Sequence, residues 1–305
     1  MTAPRLYDLS SAEGVREIVA ALCLGYNYRL YTEGETRNQL LEAYSQLLAV
    51  LRRLPAQADY DTWMEALRTQ IDQADNRLEW WLLGLGKKTA DNFGINRSNR
   101  LEYLEEVGQH LLATVGDNKD TSFADTMLML WAGAATLTIR GARKSEAGKT
   151  LERAFLRATL TILGLEEDTD FWLNMRRDAE VSREIDVEIA SRRGRIRVEM
   201  GLIAQGNQEV IEDKILRVGT RGMVIFDKIG PRSNAYQTAA DNQVAFIQIR
   251  NNRPLQAMYD YLSGLVEKTL RKPPAEQEEI RAALWALPDE LFISGLLPSS
   301  EASSK

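Results

Sequence analysis

Histidine and cysteine are almost missing: His110 and Cys23 are the only ones in 305 residues. Zinc sites built from several His and Cys ligands are therefore excluded, as is phosphodiester chemistry that needs two histidines. Any such chemistry must rest on carboxylates and a hard cation. His110 lies in a helical pattern with Leu101, Leu104, Val107 and Leu111 and reads as an ordinary structural histidine. One cysteine forms no internal disulfide, so a cytoplasmic location is the expectation. No secretory h-region is visible in residues 1–10. The longest near-apolar run, Met127–Leu137, has 11 residues, too few to cross a bilayer, and no membrane partner is expected. Acidic residues outnumber basic ones 44 to 38, for a net charge of −6, which argues against non-specific coating of nucleic acid. Basic residues can still be local, as in Lys87, Lys88, Arg97 and Arg100, in Arg140, Arg143, Lys144 and Lys149, and in Arg192, Arg193, Arg195 and Arg197.

The expected fold class is α/β: a helical amino-terminal region followed by a sheet core. From residue 11 to about 140 the pattern is helical. Leu40, Leu41, Tyr44, Leu47, Leu48 and Leu51 recur at helical spacing before Pro55. Asp59 or Asp61 caps the next run, with Trp63, Leu67 and Ile71, and further helices read over 99–115 and 122–138. The Asn- and Gly-containing stretch 87–100 reads as a loop.

From residue 145 the character changes. A buried helix over 147–163 precedes strands at 181–190 and 195–203 around the turn 191–194. A helix over 208–218, strands over 223–226 and 244–249, and a helix opened by Pro254 follow. Domain boundaries are set at 1–140 (helical, for DNA recognition or dimerisation), 141–272 (core), 273–297 (a carboxy-terminal helix) and 298–305 (a disordered tail).

The chemistry concentrates on the two strands. Ile185, Val187, Ile189, Ile196, Val198 and Met200 form one apolar face, and Glu184, Asp186, Glu188, Arg195, Arg197 and Glu199 the other. A four-residue turn sets Ala190 against Arg195, Glu188 against Arg197 and Asp186 against Glu199; a two-residue turn sets Glu199 against Glu188 instead. Opposed like charges destabilise a sheet unless a cation lies between them; a solvated hairpin face is the plain alternative. Glu152, on the buried helix, is costly unless paired or metal-linked; a salt bridge to Lys149 or Arg153 is the alternative. Gly148-Lys149-Thr150 is not a P-loop, because Arg143 stands where glycine is needed and no strand precedes it.

The run Lys144–Glu152 resembles the Ser-x-x-Gly-Lys-x-x-Glu opening of many type II restriction endonucleases. Ile185-Asp186 followed by Glu199 resembles their PD-(D/E)XK signature, with Ile for Pro, and the segment Glu199–Glu209 is similar to that of CfrBI-type restriction enzymes. The resemblance spans about residues 144–262. It implies a restriction endonuclease-like core and a site-specific endonuclease that hydrolyses double-stranded DNA to a 5′-phosphate. It also implies Mg2+ on Asp186 and Glu199 helped by the Met200 carbonyl, support from Glu152, a homodimer, and a cognate DNA methyltransferase encoded nearby.

One position departs from the family pattern: Gly201 stands where the lysine belongs. Lys214, or Gln205 at the turn before its helix, is the candidate replacement. Lys228, Arg232, Asn234 and Tyr236, in a loop after a core strand, are candidate DNA contacts. Two other readings stay open: a structure-specific repair or recombination nuclease of the same fold, and a DNA-binding protein whose active site has lapsed.

Overall fold

The structure, a computed structural model, describes residues 9, 11–56, 58–115, 122–173, 185–204 and 208–293. Twelve helices and five strands are seen among them. In chain order they are α1 (Ala12–Cys23), α2 (Arg29–Leu51), α3 (Tyr60–Gln73), α4 (Asn76–Leu82), α5 (Lys87–Asn92), α6 (Arg100–Val115), α7 (Phe123–Ile162), β1 (Phe171–Leu173), β2 (Val187–Ser191), β3 (Gly194–Ala204), α8 (Gln208–Val218), β4 (Met223–Lys228), α9 (Ala235–Asp241), β5 (Ala245–Gln248), α10 (Pro254–Leu262), α11 (Gln277–Trp285) and α12 (Glu290–Ile293). The chain is mixed α/β, as expected. No helix of the described residues is long and apolar enough to cross a membrane.

Two compact units divide it, residues 35–144 and residues 1–34 with 145–305. In the first, α3 begins at Asp59, whose side chain accepts the Thr62 N–H at 2.8 Å, so Asp59 rather than Asp61 is the cap. Its core gathers Leu47, Trp63, Met64, Leu67, Trp81 and Trp131, with the Trp63 and Trp131 rings stacked at 6.2 Å. Lys87–Asn92, read as loop from sequence, is a short helix.

In the second unit the sheet order is β1-β2-β3-β4-β5. The first three strands are antiparallel, and β3, β4 and β5 are parallel. The parallel pairs are joined through α8 and α9, as parallel pairs require a crossover. The β2–β3 register sets Ala190 against Arg195 and Glu188 against Arg197, the first of the two registers considered. It closes through Arg192-Arg193, with Ser191 paired to Gly194; the φ of +104° at Gly194 suits glycine. Alternation along β3 and β4 sorts side chains onto two cores. Val198, Met200, Met223 and Ile225 join Leu151, Phe155 and Ala158 of α7. Val224 and Phe226 pack with Ile211, Ile215 and Val218 of α8.

Helix α1 belongs to this unit, although sequence periodicity grouped everything up to 140. Val15, Ile18, Val19 and Leu22 are buried in the sheet core, and Arg16 pairs with Asp289 at 2.6 Å beside α12. An amphipathic pattern shows that a helix buries a face, not which core receives it. The helices read separately at 122–138 and 147–163 are parts of one, α7. Residues 181–184 of the expected first strand and the expected tail at 298–305 lie outside the described residues.

Candidate active site

Four of the five sequence candidates meet where β2 begins and β3 runs on past it. Glu199 lies in mid-β3 with no exposed surface. It is buried because α8 covers that face of the sheet. Asp186 does not continue the ladder opposite Glu199: it sits in a bend before β2, and its Oδ2 accepts the Met200 N–H at 2.7 Å. The carboxylate thus satisfies a main-chain donor that β2 leaves unpaired.

Between the acids lies the ammonium of Lys214. Its Nζ is 2.5 Å from Glu199 Oε2, 2.7 Å from the Met200 carbonyl oxygen and 3.7 Å from Asp186 Oδ2. The expected clash of like charges is therefore relieved here by a cation from α8. Arg217, one turn further along the same helix, donates to Glu199 Oε1 at 2.9 Å and to Asp213. Sequence reading missed Arg217, although its spacing of three from Lys214 puts both on one helix face.

Glu152 reaches the cluster from α7, where its Oε1 accepts the Leu202 N–H at 2.8 Å. Leu202 returns its carbonyl to the Tyr28 hydroxyl at 2.8 Å. Tyr28 was also missed, because nothing in its neighbourhood in the chain points to β3.

The electrostatics follow from crowding. Burial, then the Asp186 charge, push the Glu152 carboxyl up to about 7, although the Leu202 N–H and Lys214 favour its charged form. Burial also raises the Glu199 carboxyl above its ordinary range, opposed by Lys214 and Arg217. Burial would lower the Lys214 pKa, but Asp186 and Glu199 outweigh it and hold the ammonium above its usual range.

Gln205 lies outside the described residues. The candidate DNA contacts do not share one loop, although all four are exposed. Lys228 ends β4, paired in register with Ala204 of β3; Arg232 is in the following turn; Asn234 caps α9; and Tyr236 lies on α9. The Tyr236 hydroxyl meets Gln248 at 3.1 Å, and its ring lies 4.6 Å from that of Phe246.

As a donor set, Asp186, Glu199 and the Met200 carbonyl offer hard oxygens converging on one cationic position, which suits Mg2+. Among the described residues no group of three or more His, Cys, Asp or Glu side chains forms a metal cluster, and the Met200 carbonyl supplies the third oxygen of this set.

The chain is 26% identical over 277 residues to the type II restriction enzyme CfrBI of Citrobacter freundii, covering 77% of this chain and 76% of that one. No solved structure matches the chain significantly. The family model described as CfrBI restriction endonuclease matches residues 12–234, a span that includes α1, the acid cluster and α8. The chain belongs to the CfrBI restriction endonuclease family.

Proposed function

We propose that this protein is a Mg2+-dependent type II endonuclease that cuts double-stranded DNA at a specific sequence, acting as a homodimer with one subunit per strand. The observation that carries the reading is the meeting of Asp186, Glu199 and Lys214 within 3.7 Å of the lysine nitrogen, in a chain of a restriction endonuclease family.

Asp186 and Glu199, with the Met200 carbonyl, would hold Mg2+ in place of the Lys214 ammonium, which would move aside to make room for it. When bound, it supplies Lewis-acid charge at the scissile phosphate and favours hydroxide as nucleophile. Lys214 takes the part of the lysine that Gly201 lacks: its ammonium orients the attacking water and offsets charge developing on phosphorus oxygens. Glu152 holds the Leu202 N–H, which fixes β3 beside the site, and Arg217 holds the second oxygen of Glu199. Lys228, Arg232 and Asn234, on the segment leaving β4, contact DNA bases and phosphates, with Tyr236 beside them. A cognate methyltransferase encoded nearby would protect the host sequence.

Plasmid cleavage with and without Mg2+ tests the reading. Discrete fragments are expected with Mg2+ and none without. Asp186→Asn keeps an acceptor for the Met200 N–H but loses the charge, and should abolish cleavage while the fold is retained. Wild-type cleavage by this variant would remove Asp186 from the site. A smear would favour the structure-specific nuclease, and intact plasmid would favour the lapsed site.

A further inference from the structure

Beside the acid cluster, at the carboxy-terminal edge of the parallel strands, lies a charged group to which none of these roles applies. Asp227 follows Phe226 near the end of β4 and has no exposed surface. Arg250, just beyond β5, takes both of its oxygens, Nε to Oδ1 at 3.2 Å and Nη2 to Oδ2 at 2.6 Å. One carboxylate is thereby fully engaged by one guanidinium in bidentate geometry.

A second guanidinium stands beside this pair. Arg29 Nε is 4.0 Å from Asp227 Oδ2, too far to hydrogen-bond, and has no hydrogen-bond partner among the described residues. The Arg29 side chain is 38% exposed. Two arginines and one aspartate leave one positive charge in excess; Arg29 Nε itself is buried, so a ligand would meet this charge at the exposed part of the guanidinium.

The backbone delivering Arg29 is held firmly. Gly25, at φ +72°, lets the turn after α1 lie against the end of β5; a Cβ there would stand 2.4 Å from the Asn252 carbonyl oxygen. Gly25 also accepts the Asn251 N–H at 2.9 Å. Tyr28, next to Arg29 and mostly buried, donates to the Leu202 carbonyl, and the Leu202 N–H reaches Glu152. Two hydrogen bonds and one β3 residue therefore connect this arginine to the acid cluster.

We infer that Arg29, held beside the Asp227–Arg250 pair, binds a backbone phosphate of duplex DNA next to the scissile bond. The inference rests on the reading of the protein as a DNA endonuclease. Phosphate is the ligand because a partly exposed guanidinium, in a group with one positive charge in excess beside a cleavage site, meets the sugar-phosphate backbone first. Such a contact positions the duplex and carries no sequence information.

The test measures duplex binding in Ca2+ over a range of salt concentrations for wild type, Arg29→Ala, Arg29→Lys and Arg29→Gln. Losing one phosphate contact should lower the slope of log affinity against log salt by about 0.9. Affinity should fall roughly tenfold, the scale of one charge-assisted hydrogen bond, and equally on cognate and non-cognate DNA. Arg29→Lys should keep the slope and Arg29→Gln should lose it, a comparison that holds even if the alanine variant does not fold. Unchanged slopes in Ala and Gln variants beside a wild type that binds would make Arg29 structural and overturn the inference alone. A loss confined to cognate DNA would overturn the phosphate assignment in favour of base reading. A wild type that binds no duplex would overturn the endonuclease reading, and the inference with it.

Discussion

Glu152 is a carboxylate that folding sets close to two others, and the consequence is a pH dependence with a definite sign. Its native carboxyl, pushed up to about 7 from an ordinary 4.5, keeps a proton over that interval, whereas the unfolded chain has released it. The native state therefore binds more protons than the unfolded state between about pH 4.5 and 7. Its contribution to stability is present in full below the lower value and is lost as pH rises through the upper one. The difference of pKa corresponds to up to about 3 kcal/mol, an upper value because Glu152 is only partly buried. Glu152→Gln carries a permanent neutral amide and has no such proton to lose. Urea unfolding in a chelator at pH 5 to 8 should show wild type losing stability relative to this variant as pH rises. Parallel curves would mean that the carboxyl is already charged throughout the range.

Helix α8 supplies from across the sheet what the strand lacks. A side chain at position 201 would project from the same face of β3 as Glu199, two residues earlier, and α8 covers that face. Ile211, Ile215 and Val218 anchor the helix on Val224 and Phe226, and this fixes how far the Lys214 side chain must reach. A lysine from the strand and a lysine from the helix thus approach the same acids from one side. Lys214→Ala is accordingly expected to lower the single-turnover cleavage rate by at least about 100-fold, with little change in DNA affinity measured in Ca2+. A normal rate in that variant would leave the water to be oriented by substrate phosphate or Gln205. The two faces of the hairpin were legible because Val187, Ile189, Ile196 and Val198 alternate with polar residues, whereas the register was not, since the two considered differ by two residues and bury the same four side chains. The burial of Glu199 was not legible, since the cover over it comes from a helix whose docking is a long-range fact. Strand β1 escaped notice because Phe171–Leu173 is too short to show a period. The break read between two helices near residue 140 was a polar stretch without proline, and a polar stretch interrupts an apolar stripe without ending a helix. Tyr28 and Arg29 sit in a helical context in the chain and join the site only through tertiary contact.

At the scale of the whole molecule the chain holds separate cores in its two compact units. The aromatic core around Trp63 and Trp131 draws only on residues within 35–144. The cores on the two faces of the sheet draw only on 1–34 and 145–305. Unfolding of such a chain is not expected to be a single all-or-none event, so calorimetry should resolve two transitions. Asp186, Glu199, Glu152 and Lys214 all belong to the sheet unit. A divalent ion bound there stabilises only the unit that holds it, by about 2.7 kcal/mol at an ion concentration a hundred times Kd. For a unit of this size that corresponds to a rise in Tm of about 5–10 °C. Mg2+, or Ca2+ as a non-cleaving substitute, should therefore move one transition upward and leave the other in place. Asp186→Asn should remove the shift without removing either transition. A single transition that moves as a whole would show that the units unfold together, whereas two transitions that both ignore the ion would remove the metal from this cluster. A shift that persists in Asp186→Asn would place the ion elsewhere in the sheet unit.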